Sequence, residues 1–369
     1  MKRVLVYGYK AAPFGGVERV LMEYIRAITE RHKDISFDIL IAGDTCDQES
    51  ALREMNCRVL YYPQRRDNVK AYQEKITEYF QKTKYDAIWC NVSGLTNIDV
   101  LIEAKKQGVP VRVVHSHVIR LQWGNPLMGI VVPVLHGFNK LRLTKYATHY
   151  WACSRNAGAF MFPASVHDQI HVVKNAIDTD VYYPRPDVRE KMRKQFGFDG
   201  LVLGHTARLS QEKNQKFLLQ VMAEVVRRDP KAKLLLVGEG EQRAELEAQT
   251  TQLGLEDHVI FTGFRRDIPE LLQAADVFLL PSLAEGLGLS AIEAQACGLP
   301  CVVSSVVPEE VDISGAVRFV PLEESAERWA DAVLEMAGRK IADPVSCTKA
   351  AGYDISTTAG GIYQVFKDE

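Results

Sequence analysis

The 369-residue sequence lacks any run of the roughly 18 apolar residues that spans a bilayer. Its longest candidate, Pro126 to Leu135, contains two prolines and a glycine. The seven cysteines (Cys46, Cys57, Cys90, Cys153, Cys297, Cys301, Cys347) are odd in number and include no Cys-x-x-Cys pair. That argues against a disulfide framework or a zinc ribbon, and for free thiols in a reducing, cytoplasmic compartment. No Gly-x-Gly-x-x-Gly follows the first strand, which disfavours a Rossmann dehydrogenase. Low-complexity segments and repeats of about 20–50 residues are missing, which excludes a solenoid. Charge of either sign is barely in excess: 45 Lys+Arg against 47 Asp+Glu leave a net −2, too little for a basic nucleic-acid binder. The N-terminal apolar run from Val4 to Tyr9 is short, contains Gly8 and stops at Lys10; it reads as a first strand without a cleavage signal.

What is present is ordinary for a globular chain: 47% apolar and 25% charged residues. The length favours two domains, because single cores rarely grow past about 250–300 residues. The two halves differ in charge. Residues 1–175 carry 24 Lys+Arg and 16 Asp+Glu, a surplus of 8; residues 176–369 carry 21 and 31, a deficit of 10. Two modules with different partners follow. Short β-branched runs alternate with amphipathic helical patterns in both halves. In the first half the runs are 3–9, 37–43, 57–62, 86–91, 111–117 and 149–154; in the second they are 201–207, 233–238, 258–263, 276–282 and 300–305. Apolar strands of four to six residues suit a sheet covered on both faces, and strand–helix alternation implies parallel strands. The pattern restarts near residue 200, after the polar stretch 175–187. The expected fold is therefore α/β, with two doubly wound, Rossmann-like parallel-sheet domains, 1–178 and 179–353, facing a cleft.

Several loops can carry chemistry. Gly15 and Gly16 stand between strand one and helix one, where they serve as a ligand loop or as a plain βα turn. His115 and His117 end the strand VRVVHSH and point the same way; one of them faces a substrate, or both are core histidines. Arg208 and Lys213 bracket the loop after LVLGHTA, beside a helix start that suits a diphosphate. Gly238, Glu239 and Gly240 follow KLLLVG, and Gly263, Phe264 and Arg265 follow HVIFTG; both groups end strands on one edge and could line a base pocket. The fullest constellation is Glu285-Gly286-Leu287-Gly288-Leu289 with Glu293 in the next helix. Two carboxylates suit hydroxyl-rich ligands, and bare N–H groups suit a phosphate. A solvated helix start with negative charge is the alternative.

With these residues assembled, the chain resembles glycosyltransferase family 4, retaining enzymes of the GT-B fold, and most of all its bacterial capsule and exopolysaccharide branch. GGVER, VVHSH, NAID, ARLSQEKN, VGEGE, FTGFRRD and EGLGLSAIEAQACGLP match the family's motifs in order along essentially the whole chain. The resemblance implies that Arg208 and Lys213 neutralise the donor diphosphate. Glu285 would hold donor-sugar hydroxyls, with the 286–289 backbone near sugar and phosphates, and Glu293 would hold the ribose. His117 would lie near the donor sugar. Gly15 and Gly16 would touch diphosphate or acceptor, and His115 the acceptor. The first domain then binds the acceptor, and helix 354–369 packs back on it. There are departures. Ala176 replaces the usual glycine, and Gly360 and Gly361 sit in the final helix, which is expected to be short or frayed.

The reaction implied moves a sugar from a nucleotide diphosphate sugar, with UDP expected, to a hydroxyl of a glycan or lipid-linked acceptor. No cofactor or metal is expected: Asp178-Thr-Asp180 has a metal-binding form but sits in the linker, and the cations can stabilise the leaving diphosphate. The stretch Arg120 to Lys145 mixes apolar residues (Leu121, Trp123, Leu127, Ile130, Leu135, Phe138, Leu141) with Arg120, Lys140, Arg142 and Lys145. It either rests on an anionic inner leaflet or packs as a helix pair in the first domain. The rivals are a sugar-nucleotide 2-epimerase and a non-catalytic nucleotide-sugar-binding protein.

Overall fold

A computed structural model describes residues 1–11, 16–118 and 128–368. The chain divides into two compact units. One is Met1–Ala176 together with the segment from Asp354; the other is Ile177–Tyr353.

The first unit is built on a seven-stranded parallel sheet. Its strands are β1 (Lys2–Tyr9), β2 (Ile35–Ala42), β3 (Arg58–Tyr62), β4 (Ala87–Val92), β5 (Val111–Ser116), β6 (His149–Ala152) and β7 (Ile170–Val172), in the order β3-β2-β1-β4-β5-β6-β7. The second unit holds β8 (Val202–Thr206), β9 (Lys233–Val237), β10 (Val259–Phe261), β11 (Val277–Leu280), β12 (Cys301–Ser304) and β13 (Val317–Val320), in the order β10-β9-β8-β11-β12-β13. All these pairings are parallel. The central strands are apolar without alternation because helices cover both faces; every residue of β8, β11 and β12 is buried.

Two strands lie outside the runs read from the sequence, β7 and β13. Both are sheet edges of three or four residues, too short for a pattern to stand out. The stretch read as a linker already contains a helix start, Pro186–Phe196. Arg189 and Arg193 of that helix reach the Asp276 carboxylate at 2.5 and 3.1 Å, which fastens it to the entry of β11.

The final helix corrects an expectation. It runs unbroken from Ile355 to Asp368 despite Gly360 and Gly361. Its apolar face supplies what the glycines lack. Phe366 is buried against Trp89 and Trp151, at ring separations of 5.8 and 5.7 Å. Tyr363 stacks on His32 at 3.5 Å and donates its hydroxyl to Asp34 at 2.9 Å. Two glycines cost about 1 kcal/mol each against alanine, less than one buried aromatic ring contributes. Phe366→Ala should accordingly destabilise the first unit by about 3–5 kcal/mol. Urea unfolding followed separately in each unit checks this; the transition of the second unit should not move.

Candidate active site

Strands β8 and β11 are neighbours, but the chain leaves β8 towards β9 and leaves β11 towards β12. Their following loops therefore part at the carboxyl edge, and such a switch point is where doubly wound sheets bind ligands. The loops are 207–214 and 281–288, and they carry Arg208, Lys213 and Glu285.

The two loops are tied together by main-chain and side-chain bonds. The Leu283 N–H donates to the Glu212 carbonyl at 2.8 Å, and Asn214 Nδ2 donates to the Pro281 carbonyl at 3.1 Å. Asn214 holds a left-handed backbone, φ 57°, which turns the chain into helix Gln215–Arg228. Across this frame Lys213 Nζ meets Glu285 Oε1 at 2.5 Å, and Ser282 Oγ donates to the same oxygen at 2.9 Å. Glu285 is largely buried and Lys213 about three-quarters so. The structure thus brings Lys213 and Glu285 into one contact. Arg208 stands apart from that contact: its side chain is 70% exposed and pairs with Glu241 at 2.9 Å.

After Glu285 the chain turns through Gly288 (φ 85°), where an added Cβ would lie 3.2 Å from both Leu280 Cδ2 and Val307 Cγ1. Helix Leu289–Ala296 begins there with no side-chain cap, so its first N–H groups face the same edge. Glu293, on the second turn of this helix, is buried. Gly286 is exposed and Leu287 partly so.

The loops after β9 and β10 close the other side. At Gly238 an added Cβ would sit 2.0 Å from the Ala207 carbonyl, so only glycine lets the β9 loop close on the loop after β8. The Gly238 N–H goes to the Gly263 carbonyl at 3.0 Å and is spent on that bridge, not on a ligand. Glu239 pairs with Arg243 at 3.1 Å, while the Phe264 ring is exposed. A cavity of about 330 Å³ lies beside this frame, lined by Gln211, Asn214, Lys216, Gln242 and Leu283.

Two buried side chains missing from the sequence reading hold the frame. His205, wholly buried in β8, faces the Leu279 carbonyl through Nδ1 at 2.8 Å. Its Nε2 meets Gln215 Nε2 at 3.1 Å, and that amide also donates to the Arg208 carbonyl at 2.9 Å. Gln215 therefore pins the loop that bears both cations. A histidine inside a wholly buried strand was the available signal; its partner ten residues away was not readable.

In the first unit, His117 lies just past β5. Asn91 Nδ2 donates to the Trp89 carbonyl, which turns Oδ1 towards His117 Nε2 at 2.9 Å. Nε2 then carries the hydrogen, and the buried Nδ1 keeps its lone pair without a partner. Burial pushes the His117 pKa down to about 4, so the ring is neutral. The acceptor contact expected of His115 needs correction: its ring is wholly enclosed, accepts from Trp89 Nε1 at 3.3 Å and lies edge-on to Trp151. It is a core histidine. Gly16 is exposed at the start of helix Gly16–Arg31, whereas Gly15, Arg120, Leu121, Trp123 and Leu127 lie outside the described residues. In the linker, the Asp180 N–H donates to Asp178 Oδ1 at 2.9 Å, a local turn.

Two doubly wound parallel-sheet units in one chain define the GT-B class of fold. The comparisons agree. Residues 200–339 match the family described as "Glycosyl transferases group 1". Over 367 residues the chain is 30% identical to the putative glycosyltransferase EpsF of Bacillus subtilis, spanning 95% of this chain and 93% of that one. It is 25% identical over 306 residues to the UDP-Gal:alpha-D-GlcNAc-diphosphoundecaprenol alpha-1,3-galactosyltransferase of Escherichia coli, covering 79% of this chain and 76% of the relative. The crystal structure of Anabaena Alr3699/HepE in complex with UDP matches with a TM-score of 0.79 and 23% identity over the whole of both chains. The chain belongs to the group 1 glycosyl transferases and is an enzyme of the hexosyltransferase class.

His205 gives the site a pH dependence. Its pKa is pushed down to about 4, first by burial and then by the nearby Lys213 charge, against the opposing Leu279 carbonyl. The unfolded chain takes up this proton near pH 6.5, the folded one only near 4. The stability involved is complete above about pH 6.5 and is lost as pH falls towards 4, on the order of 3 kcal/mol for this group. Urea midpoints of the second unit should fall over that window, and His205→Asn should flatten the slope. An identical slope in the variant would remove His205 from the account.

Proposed function

We propose that the chain is a retaining transferase that moves a hexosyl group from a UDP-sugar to a hydroxyl of a glycan or lipid-linked acceptor in surface-polysaccharide synthesis, without a metal. The observation that carries this is the Lys213–Glu285 contact at the β8/β11 switch point, beside an uncapped helix start. Cation, helix N–H groups and carboxylate together match a diphosphate joined to a polyol. The names of relatives support the finer parts: the E. coli relative is a UDP-Gal-dependent enzyme acting on a diphosphoundecaprenol-linked sugar, and the Anabaena protein was crystallised with UDP and with UDP-glucose.

In this reading Lys213 and Arg208 take the diphosphate, with the N–H groups at 286–289. Glu285 takes sugar hydroxyls, Glu293 the ribose, and Phe264 and the 239 and 263 loops the base. His117, neutral with a free Nδ1, accepts a hydroxyl. The bond between the anomeric carbon and the β-phosphate oxygen breaks as the acceptor oxygen bonds on the same face. The acceptor proton passes to the leaving phosphate oxygen, giving glycoside and UDP. Glu285 Oε1 already receives two hydrogen bonds, which suits gripping hydroxyls better than nucleophilic attack. A lipid-linked acceptor would place the enzyme against the inner face of the membrane.

A thermal-shift panel of nucleotide sugars, followed by transfer assays, tests the reading; a ligand that binds only the folded state raises its melting temperature. UDP and its sugars should stabilise the protein, and UDP release should require acceptor. Epimerised donor formed without acceptor would instead establish the epimerase. Lys213→Ala should lower kcat about 10²–10³-fold. Activity should survive excess EDTA; abolition with rescue by Mg²⁺ would refute the metal-free mechanism.

A further inference from the structure

The helix Met128–Arg142 is built inside out. Its inward side buries Val132 and is pinned by polar contacts. His136 and Asn139 are buried there; the Leu95 N–H donates to His136 Nδ1 at 3.1 Å, and Asn139 Nδ2 donates to the Leu95 carbonyl at 2.8 Å. The His136 ring stacks on Phe160 at 5.0 Å, and Lys140 Nζ donates to the Phe160 carbonyl at 2.6 Å. Its outward side carries Val131, Val134, Leu135, Phe138 and Leu141, a single stripe at i, i+3, i+4, i+7 and i+10. Val134 is 66%, Phe138 57% and Leu141 74% exposed. A surface helix ordinarily turns its apolar stripe to the core, and a contiguous exposed stripe marks a contact surface.

The charge around it selects the partner. Between Glu103 and Asp168 there are 64 residues with no Asp or Glu, and eight Lys or Arg. Arg142 lies over the Phe138 ring at 5.0 Å, next to the stripe, and Lys105 lies over Tyr146 at 5.7 Å. Two stripes paired face to face in a dimer would bring cation to cation with no carboxylate from this segment between them. Phosphate headgroups above an acyl layer satisfy both the cations and the apolar side chains.

We infer that this stripe docks on an anionic lipid surface: Val134, Phe138 and Leu141 enter the acyl boundary while Arg142 and Lys145 reach headgroup phosphates. The inference names the surface for the lipid-presented acceptor proposed above and rests on that reading for its purpose; the donor chemistry plays no part in it.

Flotation of the full chain with vesicles of phosphatidylcholine, or of phosphatidylcholine and phosphatidylglycerol in equal parts, decides it. The protein should float with the mixed vesicles and not with phosphatidylcholine alone. Arg142→Gln with Lys145→Gln should weaken partitioning about thirty-fold, at roughly one headgroup-strength interaction per charge. Val134→Ser, Phe138→Ser and Leu141→Ser combined should lower it by at least about ten-fold. Thermal unfolding should be unchanged in both variants; if the triple variant melts early, Leu141→Ser alone serves in its place. Equal flotation with both vesicles, variants that float like the parent, or a parent that never floats but sediments as a dimer dispersed by the serine variant would each overturn the inference. Flotation without any thermal shift by UDP would overturn the donor reading and leave the docking surface standing.

Discussion

The contact between Lys213 and Glu285 cannot be opened at one end only. Glu285 is nearly enclosed, and an unpaired carboxylate in such a place costs a few kcal/mol. Lys213 can turn to a phosphate only if another donor takes its place on Oε1, and Ser282 alone supplies one bond. A molecule that carries both an anion and hydroxyls makes the exchange complete: the phosphate receives the lysine while a hydroxyl donates to the acid. Inorganic phosphate would leave the acid short of a donor, and a free sugar would face an acid already neutralised. The pair therefore favours the two functions joined in one ligand, and this is the physical core of the proposed donor specificity.

Everything else in the second unit keeps that pair in register. The sheet order makes the β8 and β11 loops diverge, and Asn214 and Leu283 lace them back together across the gap. His205 and Gln215 fix the loop from below through the Arg208 carbonyl. Gly238 lets the β9 loop close on Ala207 without a side chain in the way. The frame is held by main-chain bonds and by side chains already fixed in hydrogen bonds, so little ordering entropy is left to lose when a ligand enters.

Strand alternation made both sheets legible because fully covered parallel strands are apolar throughout, as in CVVS of β12. The same logic hid β7 and β13, whose few residues at a sheet edge carry no pattern. Glu285 and Lys213 were legible as types at strand ends, since every parallel strand delivers its following loop to one edge. Their direct pairing was not, because 72 residues separate them and only the sheet order closes the distance. His115 and His117 show the limit at a single pair. Strand geometry correctly set both rings on one side, but the neighbours that bury His115, Trp89 and Trp151, come from other strands. Gly360 and Gly361 mislead for the same reason: propensity is local, and the aromatic packing that overrides it is not.

The helix Met128–Arg142 extends this argument to the first unit. Read as periodicity and charge alone, its apolar residues either pack inside or rest on a membrane surface, and nothing local decides between the two. What turns them outward is the demand of two buried polar side chains, His136 and Asn139, for the Leu95 main chain. A buried amide without a partner costs about 1–3 kcal/mol, and the Leu95 N–H and carbonyl are satisfied only while this helix keeps its rotation. Rotating it to bury the stripe would break both bonds at once and strip Lys140 from the Phe160 carbonyl. The exposed stripe is thus held out by hydrogen bonding on its opposite side, so the surface it presents is a fixed feature of the fold and not a consequence of loose packing.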